Sequence, residues 1–278
     1  MGFSMMEDMK INEIHLGFVG FGHMGQIIFR SLDQARLIPH SKILFHRRDP
    51  SKSREDEKRY GITSTSIKNL IERSNVLLIC VRPNQAEGVF QELAKAGLNS
   101  KKVISVMAGI KISSLQKFNP EMQVIRAMPN VASEIGQGMT LLSFGESASL
   151  DFRSSARILF SSLGTITELT ETEMDIGSAI AGSGPAFVLE LIEEIARIGE
   201  KEGIPYKKSL AMTAQTFLGA AAFVVKGASP EDLITQIATA GGMTMEGLKV
   251  LKASGIKQIL ETTIKTASAR SKKFSEEF

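Results

Sequence analysis

Tryptophan is absent from the 278 residues, and the chain has only 2 tyrosines and 1 cysteine. Each shortage excludes something. A lone thiol, Cys80, cannot close an internal disulfide or build a multi-cysteine metal site, and it fits a reducing compartment. The 4 histidines, at positions 15, 23, 40 and 46, crowd the N-terminal end without metal-ligand spacing, so no metal is expected. With aromatics at 6% there is no base-stacking platform. Lys and Arg number 33 against 30 acids, and a net charge of +3 makes no basic face, so no nucleic-acid partner is expected. The uncharged apolar runs VLLICV (76–81) and AAAFVV (220–225) fall short of the ~20 residues of a bilayer span, so no membrane is expected either. The opening MGFSMMEDMK carries two acids and no apolar secretory segment. Those first ten residues are expected to form a poorly ordered tail. What is present, 43% hydrophobic and 23% charged residues, suits a soluble, cytoplasmic globular chain whose length favours two domains.

The two halves differ in rhythm. Up to residue 169, continuous apolar runs alternate with helical patterns. The runs are 14–19, 42–46, 75–81, 102–108, 123–128, 139–144 and 165–169; the helices are 24–35, 66–73, 85–97, 112–118 and 150–164. Unbroken rather than alternating apolar runs are the mark of strands buried on both faces of a parallel sheet. Strand–helix alternation then predicts right-handed crossovers. The fold class expected is α/β plus all-α: an N-terminal Rossmann-like doubly wound sheet over 1–169, followed by a helical domain over 170–278.

In the second half, helices are expected over 175–203 (bent near Gly182–Pro185), 207–227, 229–240, 244–254 and 256–271. Phe187, Val188, Leu191, Phe217 and Leu218 leave these helices apolar over much of their circumference. About 110 residues make too small a core to hide them, which points to packing between subunits over a compact monomeric bundle.

Gly20-Phe21-Gly22-His23-Met24-Gly25 is a GxGxxG between a predicted strand and a predicted helix, the context a dinucleotide loop needs. Its backbone N–H groups and the helix N-terminus would face a pyrophosphate. An NAD site usually carries an acid about 20 residues further on. The chain there reads Phe45-His46-Arg47-Arg48-Asp49. Two guanidiniums suit the 2′-phosphate of NADP (as NADPH), with NAD the weaker alternative. The competing reading is that Arg47 and Arg48 only pair with Asp49 and the acids of 55–57. Further strand-end loops would complete the crevice: Val81-Arg82-Pro83, then Ala108 and Gly109, small enough for close approach by a ligand, then Asn130. Cys80 is expected to be a buried core residue.

GFVGFGHMG (17–25), CVRP (80–83) with VISVMAGI (103–110), RAMPN (126–130), AGSGPAF (181–187) and AGGMTMEGL (240–248) together resemble the pyrroline-5-carboxylate reductases. That resemblance implies reduction of 1-pyrroline-5-carboxylate to L-proline, the last step of proline biosynthesis, by hydride transfer to a cyclic C=N bond. It also implies a C-terminal dimerisation domain, a small imino-acid substrate and a homo-oligomer. It assigns Thr244 a hydrogen bond to the ring nitrogen, puts Gly241, Gly242 and Met243 around the substrate, and places Glu171 and Gln236 near it. Departures from the family pattern are His23 for Asn, Arg82 for Lys, Phe187 for Tyr, Ala132 in the NxP position and Thr239-Ala240 before the paired glycines.

A protonated imine is already electrophilic, so positioning can carry much of the rate and no strong protein acid is required. The glycines of AGGMTM expose N–H groups at a helix N-terminus, a ready carboxylate site. Plainer readings stand beside these: Thr244 as a helix N-cap, Gly241-Gly242 as a helix stop, Glu171 as one acid among several, AGSGPAF as a packing kink. Two other functions fit parts of the sequence. A non-catalytic NADP-binding regulator would keep only the glycine loop and the arginines. A β-hydroxyacid dehydrogenase-like oxidoreductase would need a lysine where this chain has Val188, six residues past Gly182.

Overall fold

The structure, a computed structural model, describes residues 11, 13–98 and 101–277; the expected N-terminal tail lies outside them. Eight strands form one sheet: β1 (Leu16–Val19), β2 (Ile43–His46), β3 (Thr63–Ser64), β4 (Val76–Ile79), β5 (Lys102–Ser105), β6 (Gln123–Met128), β7 (Gly138–Phe144) and β8 (Gly164–Glu168). Their order is β3-β2-β1-β4-β5-β6-β7-β8. Pairing is parallel from β3 through β6, and β8 is parallel to β7. The chain winds outward from β1 to one edge, then returns to β4 on β1's other side. The carboxyl ends of β1 and β4 therefore flank the point where winding reverses, the place doubly wound sheets bind ligands.

Helices α1 (His23–Gln34), α2 (Pro50–Tyr60), α3 (Ile67–Arg73), α4 (Ala86–Lys95), α5 (Ile112–Gln116) and α6 (Leu150–Ser161) connect the strands. Successive strand residues point to opposite faces, so each apolar run feeds two cores. Leu16, Phe18, Val76, Leu78 and Ile104 pack with Ile28, Phe29 and Leu32 of α1 and Phe152 of α6. Val19, Leu77, Ile79 and Val103 pack with Leu70 of α3, Phe90 and Leu93 of α4 and Leu115 of α5.

Three features depart from the pattern read in the sequence. β7 runs antiparallel to β6. Only the stretch between Met128 and Gly138 joins them, filled by a short 3-10 turn (Val131–Ile135), and so short a connection cannot make the crossover that parallel strands require. Helix α2 was not anticipated, because PSKSREDEKRY has no apolar face. It is set instead by its ends: the Asp49 carboxylate accepts from the N–H groups of Ser51 (3.0 Å) and Lys52 (3.2 Å), Pro50 opens it, and Gly61 closes it at φ +67°. Hydrogen bonds to those amides hold the Asp49 carboxyl below its usual range. The short edge strand β3 was likewise unmarked.

The chain clusters into two units: residues up to Ser183 together with those from Thr266 onward, and Gly184–Lys265. The division thus differs from the one expected at residue 169. Residues 170–183 stay with the sheet because Glu171 accepts from Arg126 of β6 and Gly177 packs tightly against Leu141 of β7. The end of the last helix joins them because the Ser271 hydroxyl donates to Asp175 (2.7 Å).

The helical stretch that follows the sheet begins as α7 (Met174–Gly177), and residues 178–182 form a π turn in which the Ser183 N–H donates to the Ser178 carbonyl (3.0 Å). The helix is thus interrupted at 178–182, just ahead of the Gly182–Pro185 stretch where an interruption or bend is expected. The helical unit contains α8 (Gly184–Lys201), α9 (Tyr206–Val225), α10 (Pro230–Ile237), α11 (Met243–Ala253) and most of α12 (Ile256–Glu277). α8 and α9 approach closely where a Cβ on Gly199 would overlap the Ser209 hydroxyl. Few side chains of this unit are buried, and Leu189, Ile198, Leu218, Phe223 and Val250 are exposed. Met174–Lys201 and Tyr206–Val225 are long and apolar enough to cross a membrane by length and composition, which the short uncharged runs did not foretell.

Candidate active site

β1 delivers the chain into the glycine loop. Gly20 takes φ +86°, and a Cβ there would stand 2.7 Å from Val81 Cγ1, so the turn at the strand end requires glycine twice over. A Cβ on Gly25 would meet the Gly20 carbonyl at 3.1 Å, so its small size lets α1 start hard against the strand. Gly22 is different: among the described residues, its own chain neighbours aside, nothing lies within 4 Å of where its Cβ would be. No neighbour needs that space, while Gly22 also caps α1 without a side-chain hydrogen bond, leaving the first-turn N–H groups open. An open glycine at an uncapped helix N-terminus suits a pyrophosphate.

The pocket in front of this loop has a volume of about 300 Å³. Of the residues named from the sequence, Gly20, Phe21, Gly22, Arg47, Arg48, Val81 and Arg82 line it. His23 and Met24 begin α1 directly beyond, and Pro83 opens the 3-10 turn Pro83–Gln85 whose Gln85 also lines the pocket. His46, Lys52 and Cys80 line it too and were not named as ligand groups. The signal for Lys52 was present: a lysine in the first turn of a helix that starts at Asp49-Pro50. Burial pushes the Cys80 thiol up, the opposite of the lowered value that marks a reactive thiolate.

The two arginines part company. Arg47 Nη1 donates to Asp56 Oδ2 (2.5 Å) and to the Phe21 carbonyl (3.2 Å). The plainer reading, pairing with an acid of 55–57, therefore holds for Arg47. Arg48 and Lys52 are exposed, and among the described residues neither side chain has an ion pair. With no carboxylate at the end of β2, those two cations are the groups free to hold a 2′-phosphate.

Among the other positions read as ligand-facing, Gly109, Asn130 and Glu171 have close partners within the protein. Gly109 has φ +75°, and a Cβ there would fall 2.3 Å from the Ser271 carbonyl and 2.7 Å from Phe274 Cβ, so the end of α12 leaves no room for a side chain at this position. Ala108 beside it is half-buried. Asn130 is buried, with its Nδ2 donating to the Ala181 carbonyl (3.0 Å) and its Oδ1 accepting from Met139 N–H (3.3 Å). The first contact has a cause in sequence: Pro185, four residues on, has no N–H to offer that carbonyl. Glu171 Oε1 accepts from Ile112 N–H (2.6 Å) and from the buried Arg126 guanidinium (3.2 Å). A buried arginine needs such a partner, so Glu171 is held in the sheet-bearing unit.

Gln236, Gly241, Gly242, Met243 and Thr244 belong to the helical unit. Gly242 is the N-cap of α11, so Thr244 is its second residue and not its cap. α10 ends at Ile237 with Ala238 as its cap, so the glycine pair is not its stop signal either. Gly241 turns at φ +72°, and Gly242 N–H donates to the Thr239 carbonyl (3.0 Å). Thr244 is half-buried, Met243 is 92% exposed and Gln236 is exposed. No group of three or more potential metal ligands occurs among the described residues.

Comparison with known proteins covers both units. Residues 171–274 match the family described as pyrroline-5-carboxylate reductase dimerisation, and residues 15–109 match NADP oxidoreductase, coenzyme F420-dependent. Pyrroline-5-carboxylate reductase 1 of Bacillus subtilis is 35% identical over 266 residues, covering 94% of this chain and 90% of that protein. The Aquifex aeolicus pyrroline-5-carboxylate reductase is 31% identical, covering 94% and 97%. The crystal structure of Plasmodium falciparum pyrroline carboxylate reductase with NADP bound superposes with a TM-score of 0.85 at 26% identity, covering 95% of this chain and 99% of that one.

Proposed function

The chain belongs to the pyrroline-5-carboxylate reductase family, and we infer that it reduces 1-pyrroline-5-carboxylate to L-proline with NADPH. The observation that carries this is the coupling of an open, uncapped glycine loop at the sheet's switch point to a helical half that matches the family over 171–274. The cofactor chemistry fits the residues present. The loop N–H groups around Gly22 take the pyrophosphate, and Arg48 and Lys52 take the 2′-phosphate. Bound NADPH supplies the hydride that the imine carbon accepts.

The chain's own task is to hold the substrate still. The open N–H groups at the start of α11, beside Gly241, Gly242 and Met243, suit the substrate carboxylate. The Thr244 hydroxyl suits the ring nitrogen, where the proton that activates the C=N bond resides and stays in the product. Gln236 is assigned to the same neighbourhood. Glu171 acts at one remove, by fixing Arg126 and the start of α5.

The proposed division of labour keeps cofactor binding in residues 1–169 and substrate binding with dimerisation in 170–278. The exposed apolar faces of α8 and α9 are then covered by a second copy, in a homo-oligomeric, soluble, cytoplasmic enzyme without membrane or nucleic-acid partners. The test is purified protein with NADPH and 1-pyrroline-5-carboxylate. Loss of reduced-cofactor absorbance with proline as product is expected. No oxidation across neutral pH would overturn the reading and leave a silent NADP-binding protein.

A further inference from the structure

We propose that Arg47 is a positioning residue that clamps the glycine loop, and that it does not read the 2′-phosphate; the proposal rests on the dinucleotide reading above. Arg47 follows β2, and its Nη1 donates both to the Phe21 carbonyl (3.2 Å) and to Asp56 Oδ2 (2.5 Å). Asp56 lies on α2 and is only 6% exposed. Its second oxygen accepts from Gln26 Nε2 of α1 (3.2 Å), which also stands 3.5 Å from the Phe21 carbonyl. Two side chains from separate parts of the fold, Arg47 and Gln26, thus reach one carbonyl, the one between the two pocket glycines, and the Asp56 carboxylate ties the two together.

That carbonyl shares a peptide plane with the Gly22 N–H, and in a trans peptide the two point in opposite directions. Pinning the oxygen toward Arg47 therefore aims the Gly22 N–H away from the clamp, on a residue that lines the pocket. Arg47 cannot leave for a phosphate without abandoning the buried Asp56 carboxylate, an expensive exchange. The phosphate readers are then Arg48 and Lys52, both exposed.

The two roles differ in one measurable respect. NADPH and NADH share the pyrophosphate and differ in the 2′-phosphate. Loss of a loop clamp weakens both alike, whereas loss of a phosphate reader weakens NADPH alone. The experiment titrates NADPH and NADH by nicotinamide fluorescence into the full-length wild type, Arg47→Ala, Asp56→Asn and the double variant. Expected is roughly tenfold weaker binding of both cofactors in each single variant, the scale of one lost charge-assisted hydrogen bond. Their ratio should stay unchanged, and the double variant should be no worse than the singles because they remove one shared network. Selective loss of NADPH in Arg47→Ala, with NADH unmoved, overturns the clamp. If Arg47→Ala does not fold, the isosteric Asp56→Asn decides alone: equal weakening supports the clamp and no change in either cofactor overturns it. A wild type that binds neither cofactor would instead overturn the dinucleotide reading, and the clamp with it.

Discussion

Arg47 and Arg48 are adjacent in sequence, and nothing in their spacing says which turns inward. The partner that decides it, Asp56, sits on a helix without an apolar face, so neither its position nor its burial could be read from periodicity. The presence of a cation pair in place of the usual acid was legible; which cations stay free was not. The consequence is a sharper expectation. Replacing Arg48 and Lys52 together by alanine should lower the NADPH-over-NADH preference in kcat/KM roughly tenfold or more while leaving NADH use intact. The motif around Thr244 marked it, and its place as the second residue of α11, behind a glycine cap, leaves its hydroxyl without a capping duty. Thr244→Val should lower kcat roughly tenfold with little change in NADPH affinity, as steady-state kinetics and fluorescence titration would show together. At Gly109 and Asn130 the sequence signal does not discriminate: a small or amide residue at a strand end reads the same whether a ligand or another part of the chain meets it.

Strands and helices that bury an apolar face were the legible elements, because that burial repeats at their own periods. Elements held by something else escaped. α2 is set by its caps, β3 by two residues at an edge, and the direction of β7 by the length of the stretch before it. The π turn at 178–182 joins these, since it depends on the carbonyl that Pro185 leaves free and Asn130 fills. Asn130→Ala would orphan that carbonyl and the Met139 N–H, at a cost of about 1–3 kcal/mol for each group that water cannot reach. Thermal unfolding should show the loss, and cofactor affinity in the folded protein should not. Docking of the end of α12 makes a second expectation. Gly109→Ala places a Cβ against the Ser271 carbonyl at a left-handed φ, so it should lower the melting temperature and open α12 to proteolysis near Thr266.

For the whole molecule, length alone favoured two domains, and the change in rhythm placed the change of architecture near residue 169. It could not show that the last helix ends against the sheet-bearing unit, because Ser271, Asp175 and Gly109 are brought together only by the fold. The surplus of apolar side chains on α8 and α9 was legible, and so was the inference of a second copy to cover it. Leu218→Glu with Phe223→Glu, on exposed positions of α9, should shift sedimentation toward a smaller species or reduce recoverable protein. Hydride transfer to the imine carbon is the central claim, and one measurement tests it most directly. NADPH deuterated at its transferable position is incubated with the enzyme and 1-pyrroline-5-carboxylate, and the product is read by mass spectrometry. Proline carrying one deuterium on the former imine carbon is the expected result; unlabelled proline, or none at all from protein that binds NADPH, would contradict it.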